Sequence, residues 1–186
     1  MKATLLFQGQ TLAADDFDLR CRRSAAALQA QGIGDGDIVA LMMRNSPEAL
    51  ELLIAVRHLG AQWVPVNWHF KTDEVQYILS DSGARLFIAD AALLATLDGL
   101  QAGTARVFSA RGGHAGVPAW EPLRDAAAPI ATPPAPPRGA MFYTSGTTGR
   151  PKGILREPMT PQQQASSLAL RRLAYGIEPG MKALLN

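Results

Sequence analysis

Between Tyr143 and Gly153 the chain reads YTSGTTGRPKG. Thr144, Ser145, Thr147 and Thr148 offer hydroxyl donors, and Lys152 adds a full positive charge. Gly146, Gly149 and Gly153 permit positive φ and let backbone amides crowd round one point without a Cβ in the way. Successive amides in such a run form an anion-binding concavity. Donors, a lysine and no acidic neighbour together describe a site for phosphate oxygens. The apolar Met141, Phe142 and Tyr143 read as a buried strand that anchors the entrance, and KGILRE reads as a second strand at the exit. The same composition also suits a solvated turn joining two antiparallel strands, because Gly and Thr are common in turns. Two familiar phosphate patterns do not fit. A Walker A loop places its lysine directly after the second glycine and opens a helix, whereas two residues separate Gly149 from Lys152 here. The dinucleotide fingerprint is missing too: GIGDG at 32–36 has the wrong spacing and precedes a strand.

The elements that must position this loop alternate helix and strand. AADDFDLRCRRSAAALQAQG puts Phe17, Cys21, Ala25 and Leu28 on one helical face, with Gly32 as a stop. DIVALMM is a continuous apolar run, as expected of a strand covered on both faces. NSPEALELLIAVRHLG carries Ser46 as N-cap, Pro47 at the first helical position and Glu48 and Glu51 toward the positive end. Its buried side is expected at Leu50, Leu53, Ile54 and Val56. AQWVPVN is a strand in which Pro65 marks an edge or an end. KTDEVQYILSDSG predicts a helix capped by Thr72, with Val75, Ile78 and Leu79 inward. ARLFIAD, AALLATLDG and ARVFSA then read as strand, short helix and strand. The pattern predicts an α/β fold, a mainly parallel sheet flanked by helices. Five prolines between Pro129 and Pro137 break the periodicity and mark an extended connector. The expected division is an N-terminal α/β subdomain over 1–128, a connector over 129–138 and the start of a second subdomain over 139–186. That last part holds the glycine loop, a helix in TPQQQASSLALRRLAYG and a strand opening at KALLN.

Composition narrows the partners. With 18 Lys and Arg against 16 Asp and Glu, scattered along 186 residues, no footprint for nucleic acid or a membrane surface is visible. No apolar run is long enough to span a bilayer, and MKATLLFQGQ is too short for a secretory signal. The single cysteine, Cys21, forbids an intramolecular disulfide, fits a reducing cytoplasm and sits where a small core hydrophobe is expected.

YTSGTTGRPKG resembles the phosphate loop of the adenylate-forming enzymes: acyl-CoA synthetases, luciferases and the adenylation domains of peptide synthetases. GIGDGDIVALMMRNSPEALELLIAVRHLGAQWVPVN resembles the early region of the same family, where a G-D-x-V strand, an N-S helix and a G-A-x-x-x-P-x-N strand follow one another. The spacing between the blocks is family-like, so the resemblance covers essentially the whole chain. Thr147–Thr148 in the loop, and PVNWHF with DEVQYILSDSGARLFIAD, are most similar to acyl-CoA synthetases. The resemblance implies activation of a carboxylic acid by ATP to an acyl-adenylate, then transfer to a thiol, usually coenzyme A. Thr144, Ser145, Gly146, Thr147, Thr148, Gly149 and Lys152 would bind the nucleotide phosphates, with Thr144 also beside Mg2+. Family members run well beyond Asn186, and the residues of the catalytic step lie in that further part, so none is assigned here. The chain is therefore expected to be the N-terminal part of such an enzyme, inactive alone and able to associate with the remainder. The alternative is a short, non-catalytic protein that binds a nucleotide or a partner.

Other residues that attract notice have ordinary explanations. His58 closes its helix as a positive end-group. His69 lies in a loop between strand and helix, and His114 has no partner at metal-ligand spacing. Trp63 and Trp68 are expected to pack, and Leu170–Arg172 to form a solvated helix face.

Overall fold

The computed structural model describes residues 4–136, 138–144, 151–155 and 159–175. The expected strand at KALLN lies outside them. In chain order the elements are β1 (Leu5–Phe7), β2 (Gln10–Leu12), α1 (Ala14–Ala30), β3 (Ile38–Met42), α2 (Pro47–His58), β4 (Gln62–Pro65) and α3 (Thr72–Ser82). They continue with β5 (Leu86–Asp90), α4 (Ala91–Leu94), β6 (Arg106–Ala110), α5 (Trp120–Ala126), β7 (Met141–Thr144), β8 (Lys152–Leu155) and α6 (Pro161–Tyr175).

Among the described residues β3 to β6 form a four-stranded parallel sheet in the order β4-β3-β5-β6. The α/β expectation holds. Alternation along β3 splits the core in two: Val39 and Leu41 pack with α1, α2 and α5, while Ala40 and Met42 pack with α3 and α4. All of β5 is buried, because helices cover both its faces. Pro65 ends edge strand β4, where its missing N–H costs no ladder bond. On α1, Phe17, Cys21, Ala25 and Leu28 are buried as their spacing requires, and burial pushes the Cys21 thiol up to about 12.

Three elements escaped the sequence reading. β1 and β2 form a hairpin through Gln8 and Gly9, both at positive φ (50° and 77°), as a tight two-residue turn demands. In α5, Trp120 is almost wholly buried, packs edge-to-face on Phe108 and donates from its indole nitrogen to Ser24.

Two expectations about helices need correction. The inward face of α2 is Glu51, Leu52, Ala55 and Val56, whereas Ile54 is exposed and Leu50 and Leu53 are only half-buried. A glutamate turns the helix. Glu51 is fully buried and accepts from Arg20 Nε at 2.8 Å, from Arg124 Nη1 at 3.3 Å and from the Ser24 hydroxyl. Burial alone would lower the pKa of Arg20, but the bond to Glu48 and the charge of Glu51 outweigh it and the net shift is upward. Second, Thr72 is the first helical residue of α3, not its cap. Lys71 caps, its N–H donating to Glu74 at 2.8 Å, while the Thr72 hydroxyl donates to the Asp98 carbonyl. Ser46 caps α2 as expected, accepting from the Ala49 N–H at 3.1 Å.

The proline-rich connector is laid along the turn after α2. The Ala135 N–H donates to the His58 carbonyl at 2.9 Å, and His58 Nε2 bonds to the Thr132 carbonyl at 2.9 Å. Arg138 then grips Asp35 in a two-pronged pair at 2.8 and 2.7 Å. Gly60, at φ 69°, lies beneath: a Cβ there would sit 3.2 Å from that of Ala135.

Removing Glu51 would take a buried acceptor from two part-buried guanidinium groups, leaving Arg20 with Glu48 and Arg124 with Asp125. Glu51→Ala is expected to lower unfolding free energy by about 3–5 kcal/mol, read from urea denaturation. The Glu48 and Asp125 carboxylates titrate below their ordinary 4.5 and 3.8. For Glu48, burial opposes the shift and the Arg20 bond overrides it; for Asp125, the Arg124 bond leads. A depressed folded pKa gives stability that is complete above the ordinary value and is lost as pH falls through the depressed one. The urea midpoint should therefore hold from neutrality down to the ordinary carboxylate range and fall below it.

Candidate functional site

β7 and β8 are antiparallel, with Met141 opposite Leu155, Phe142 opposite Ile154, Tyr143 opposite Gly153 and Thr144 opposite Lys152. Thr144 and Lys152 are thus the facing pair at the open end of the hairpin. Directly opposed residues of an antiparallel pair point to the same face, about 5 Å apart at Cβ. Both are exposed, on the face that also carries Phe142 and Ile154. Spacing alone left the threonine at the entrance and the lysine at the far end; the register makes them neighbours. Ser145, Gly146, Thr147, Thr148 and Gly149 lie outside the described residues.

The hairpin is held to the main fold at its edge, and by Met141 and Tyr143 on its other face. A single parallel bridge joins Ala140 to Trp63 at the edge of β4. Phe142 meets Trp63 edge-to-face with ring centroids 6.0 Å apart. Tyr143 turns toward α3, where its hydroxyl donates to Asp81 at 2.7 Å. Burial and the Asp81 carboxylate both raise the Tyr143 pKa, so it stays a phenol throughout the physiological range. Tyr77, one turn earlier on α3, donates to the Pro151 carbonyl at 2.8 Å, and the two tyrosine rings cross edge-to-face at 6.3 Å.

Two expectations change here. The run Met141–Tyr143 is not a buried strand: Phe142 is 45% exposed, and Met141 and Tyr143 are half-buried. Only one side of the hairpin has α3 to lean on. Gly153 is not at positive φ. Its value is space, since a Cβ would overlap the Met141 methyl and come within 3.0 Å of Tyr143 Cζ.

The C-terminal ends of the parallel strands form a second constellation. β3 and β5 are adjacent although α2, β4 and α3 separate them in sequence, so the chain reverses its winding between them, where open α/β sheets commonly bind ligands. That crevice is bridged. Asp90 Oδ2 accepts from the Arg44 N–H and from Arg111 Nη1, both at 3.1 Å. Beside it a cavity of about 310 Å3 is roofed by the β1–β2 hairpin and lined by Arg20, Glu48 and Arg111. Arg20 and Glu48 pair at 2.8 Å. Nearby, Arg44 lies 5.0 Å over the ring of Trp68, which stacks on His69. Among the described residues no group of His, Cys, Asp and Glu is arranged to hold a metal, and no helix is long and apolar enough to cross a membrane.

The sequence reading missed Tyr77, Asp81, Arg44, Asp90 and Arg111. Tyr77 and Asp81 carry no local signal, being polar positions on a helix whose buried stripe was read correctly.

Comparison with known proteins fits this geometry. Residues 1–170 match the AMP-binding enzyme family. The chain is 33% identical to tyrocidine synthase 3 of Brevibacillus parabrevis, a match covering 98% of this chain and 3% of that protein. It is 38% identical to the long-chain-fatty-acid–CoA ligase FadD13 of Mycobacterium tuberculosis, covering 79% of this chain and 30% of that one. The fold superposes on a benzoate CoA ligase from Burkholderia xenovorans LB400 with a TM-score of 0.72 at 22% identity, covering 91% of this chain and 32% of the other. The chain therefore spans less than a third of the length of each of these relatives. With the hairpin, the parallel sheet and a family match over 170 residues in agreement, this chain belongs to the AMP-binding, adenylate-forming enzymes.

Proposed function

We propose that the chain supplies the N-terminal α/β part and the phosphate loop of an ATP-dependent acid–thiol ligase of the acyl-CoA synthetase type. The observation that carries this reading is the facing pair Thr144 and Lys152 at the mouth of a glycine- and hydroxyl-rich segment. In the reaction a carboxylate oxygen attacks the α-phosphorus of ATP and the bond to pyrophosphate breaks, so negative charge grows toward the β-phosphate. Donors already aimed at those oxygens lower the barrier without reorganising. In this reading Thr144, Ser145, Gly146, Thr147, Thr148 and Gly149 wrap the β- and γ-phosphates, and Lys152 neutralises charge on the same side as Thr144. Mg2+ fits here, since it takes only one or two protein oxygens beside phosphates and the Thr144 hydroxyl is exposed. When bound, it would neutralise phosphate charge. Coenzyme A would then take the acyl group in a cytoplasmic setting.

In this reading residues 139–186 open a second subdomain, and the acyl pocket and the catalytic groups come from further polypeptide. Leu168, Leu170 and Leu173 are 49%, 64% and 86% exposed along α6, which favours a partner surface there.

ATP–pyrophosphate exchange tests the proposal. The 186 residues alone should give none, and the complete ligase should exchange in the presence of a carboxylic acid. Exchange by the isolated chain would contradict this division of labour. Mg-ATP binding with no acid-dependent exchange in any assembly would favour the non-catalytic reading. In the complete ligase, Lys152→Ala is expected to lower turnover by about 10²–10³, the usual loss for one preorganised donor, measured as kcat for adenylate formation.

A further inference from the structure

The loop between β7 and β8 has two stems, and one helix holds both. Tyr77 and Asp81 stand four residues apart on α3, so they lie one above the other on a single side of the helix. Tyr77 donates to the carbonyl of Pro151, the residue that leads into β8. Asp81 accepts from Tyr143, the residue before the last of β7. The opposite side of α3 buries Val75, Ile78, Leu79 and Ser82, which fixes the helix against the sheet. Gly153 leaves room for Tyr143 to lie against β8 on its way to Asp81. Nothing in packing demands these two polar bonds. Tyr77 and Tyr143 already meet through their rings, and phenylalanine at either position would keep that contact.

From this arrangement we infer that Tyr77 and Asp81 are positioning residues for the phosphate loop. They set the angle at which the hairpin presents Thr144 and Lys152 to the nucleotide, Tyr77 through the exit stem and Asp81, by way of Tyr143, through the entrance stem. Neither touches the nucleotide. The inference rests on the phosphate-loop reading of the hairpin and adds that the orientation of its two stems is imposed from α3.

Kinetics of the complete ligase test it. Tyr77→Phe and Tyr143→Phe each remove one donor and should raise KM for ATP about three- to tenfold, the range for one lost hydrogen bond, with KM for the acid unchanged. Asp81→Ala should act in the same direction as Tyr143→Phe, and Asp81→Asn, which keeps an acceptor oxygen, should recover most of the loss. Combining Tyr143→Phe with Asp81→Ala should cost less than the sum of the two, because both cut the Tyr143–Asp81 bond, while Tyr143→Phe also gives up the hydroxyl's interaction with Ser82. A fall in melting temperature with unaltered KM for ATP would assign these residues to stability only and overturn the inference. Lys152→Ala separates the two claims. If it impairs ATP use while the α3 variants do not, only the positioning inference fails; if it too is silent, the phosphate-loop reading fails first. Amide hydrogen exchange on the 186-residue chain gives a readout independent of activity. Tyr77→Phe and Tyr143→Phe should speed exchange at Thr144 and across 152–155, and unchanged rates would overturn the clamp.

Discussion

The sequence SGTTGRP is rich in glycine and short hydroxyl residues. Glycine loses more backbone freedom on ordering than any other residue, and short hydroxyl side chains bury little apolar surface in return. The direction in which such a segment leaves the fold is therefore decided at its ends. Here the ends are Thr144 and Lys152, made neighbours by the register of β7 and β8, and that hairpin is itself too short to stand alone. Its orientation depends on what it leans against: the edge of β4 through Ala140 and Trp63, and the polar side of α3 through Tyr143 and Pro151. The remainder of the fold gives those two supports a fixed place.

It does so by ordinary α/β means. β5 is closed on both faces, and its neighbours β3 and β6 carry side chains alternately into two cores. On one side α1 and α2 meet around a buried carboxylate and its arginines, on the other α3 is held by an aliphatic stripe. The two solutions differ in what they specify. An aliphatic stripe tolerates small rotations, because apolar contact has no direction. Glu51 accepts from three donors on α1 and α5, so it fixes the rotation of α2 and displaces Ile54 to the surface, although hydrophobicity alone would bury Ile54. Burying an ion pair adds little net stability over an apolar core, so orientation is what it contributes most clearly.

What could be read from sequence follows the same division. Periodicity located every strand of the main sheet and most of the helices, since burial on a sheet or a helix face is written in residue spacing. It misjudged α2 because a glutamate at a core position has no signature apart from its partners, and Arg20 and Arg124 lie 31 and 73 residues away. It overestimated the burial of Met141–Tyr143, because three apolar residues look alike whether one or two layers cover them. The N-terminal hairpin was legible in principle at Gln8–Gly9, yet strands of three residues give too little alternation to count. Of the site, YTSGTTGRPKG carried the proposed chemistry in its residue types alone. The register that sets Thr144 across from Lys152, and the helix that holds both stems, come from tertiary pairing alone.

The form of the stems also bears on how such a loop would hold a phosphate. A Walker A loop runs into a helix, whose aligned peptide dipoles add positive potential at the anion and whose axis aims the amides. Here the segment returns into strand β8, and strands contribute only a small net dipole. In the proposed reading, charge would then come from Lys152 and aim from side chains outside the hairpin. The lysine's place at the first residue of β8, opposite Thr144, would set its charge at the segment's mouth. In that reading Tyr77 and Asp81 of α3, bonded to Pro151 and Tyr143 in the two stems, would supply the aim. A helix-mounted loop carries its own orientation; a hairpin-mounted one has to borrow it, and α3 is the rigid neighbour within reach.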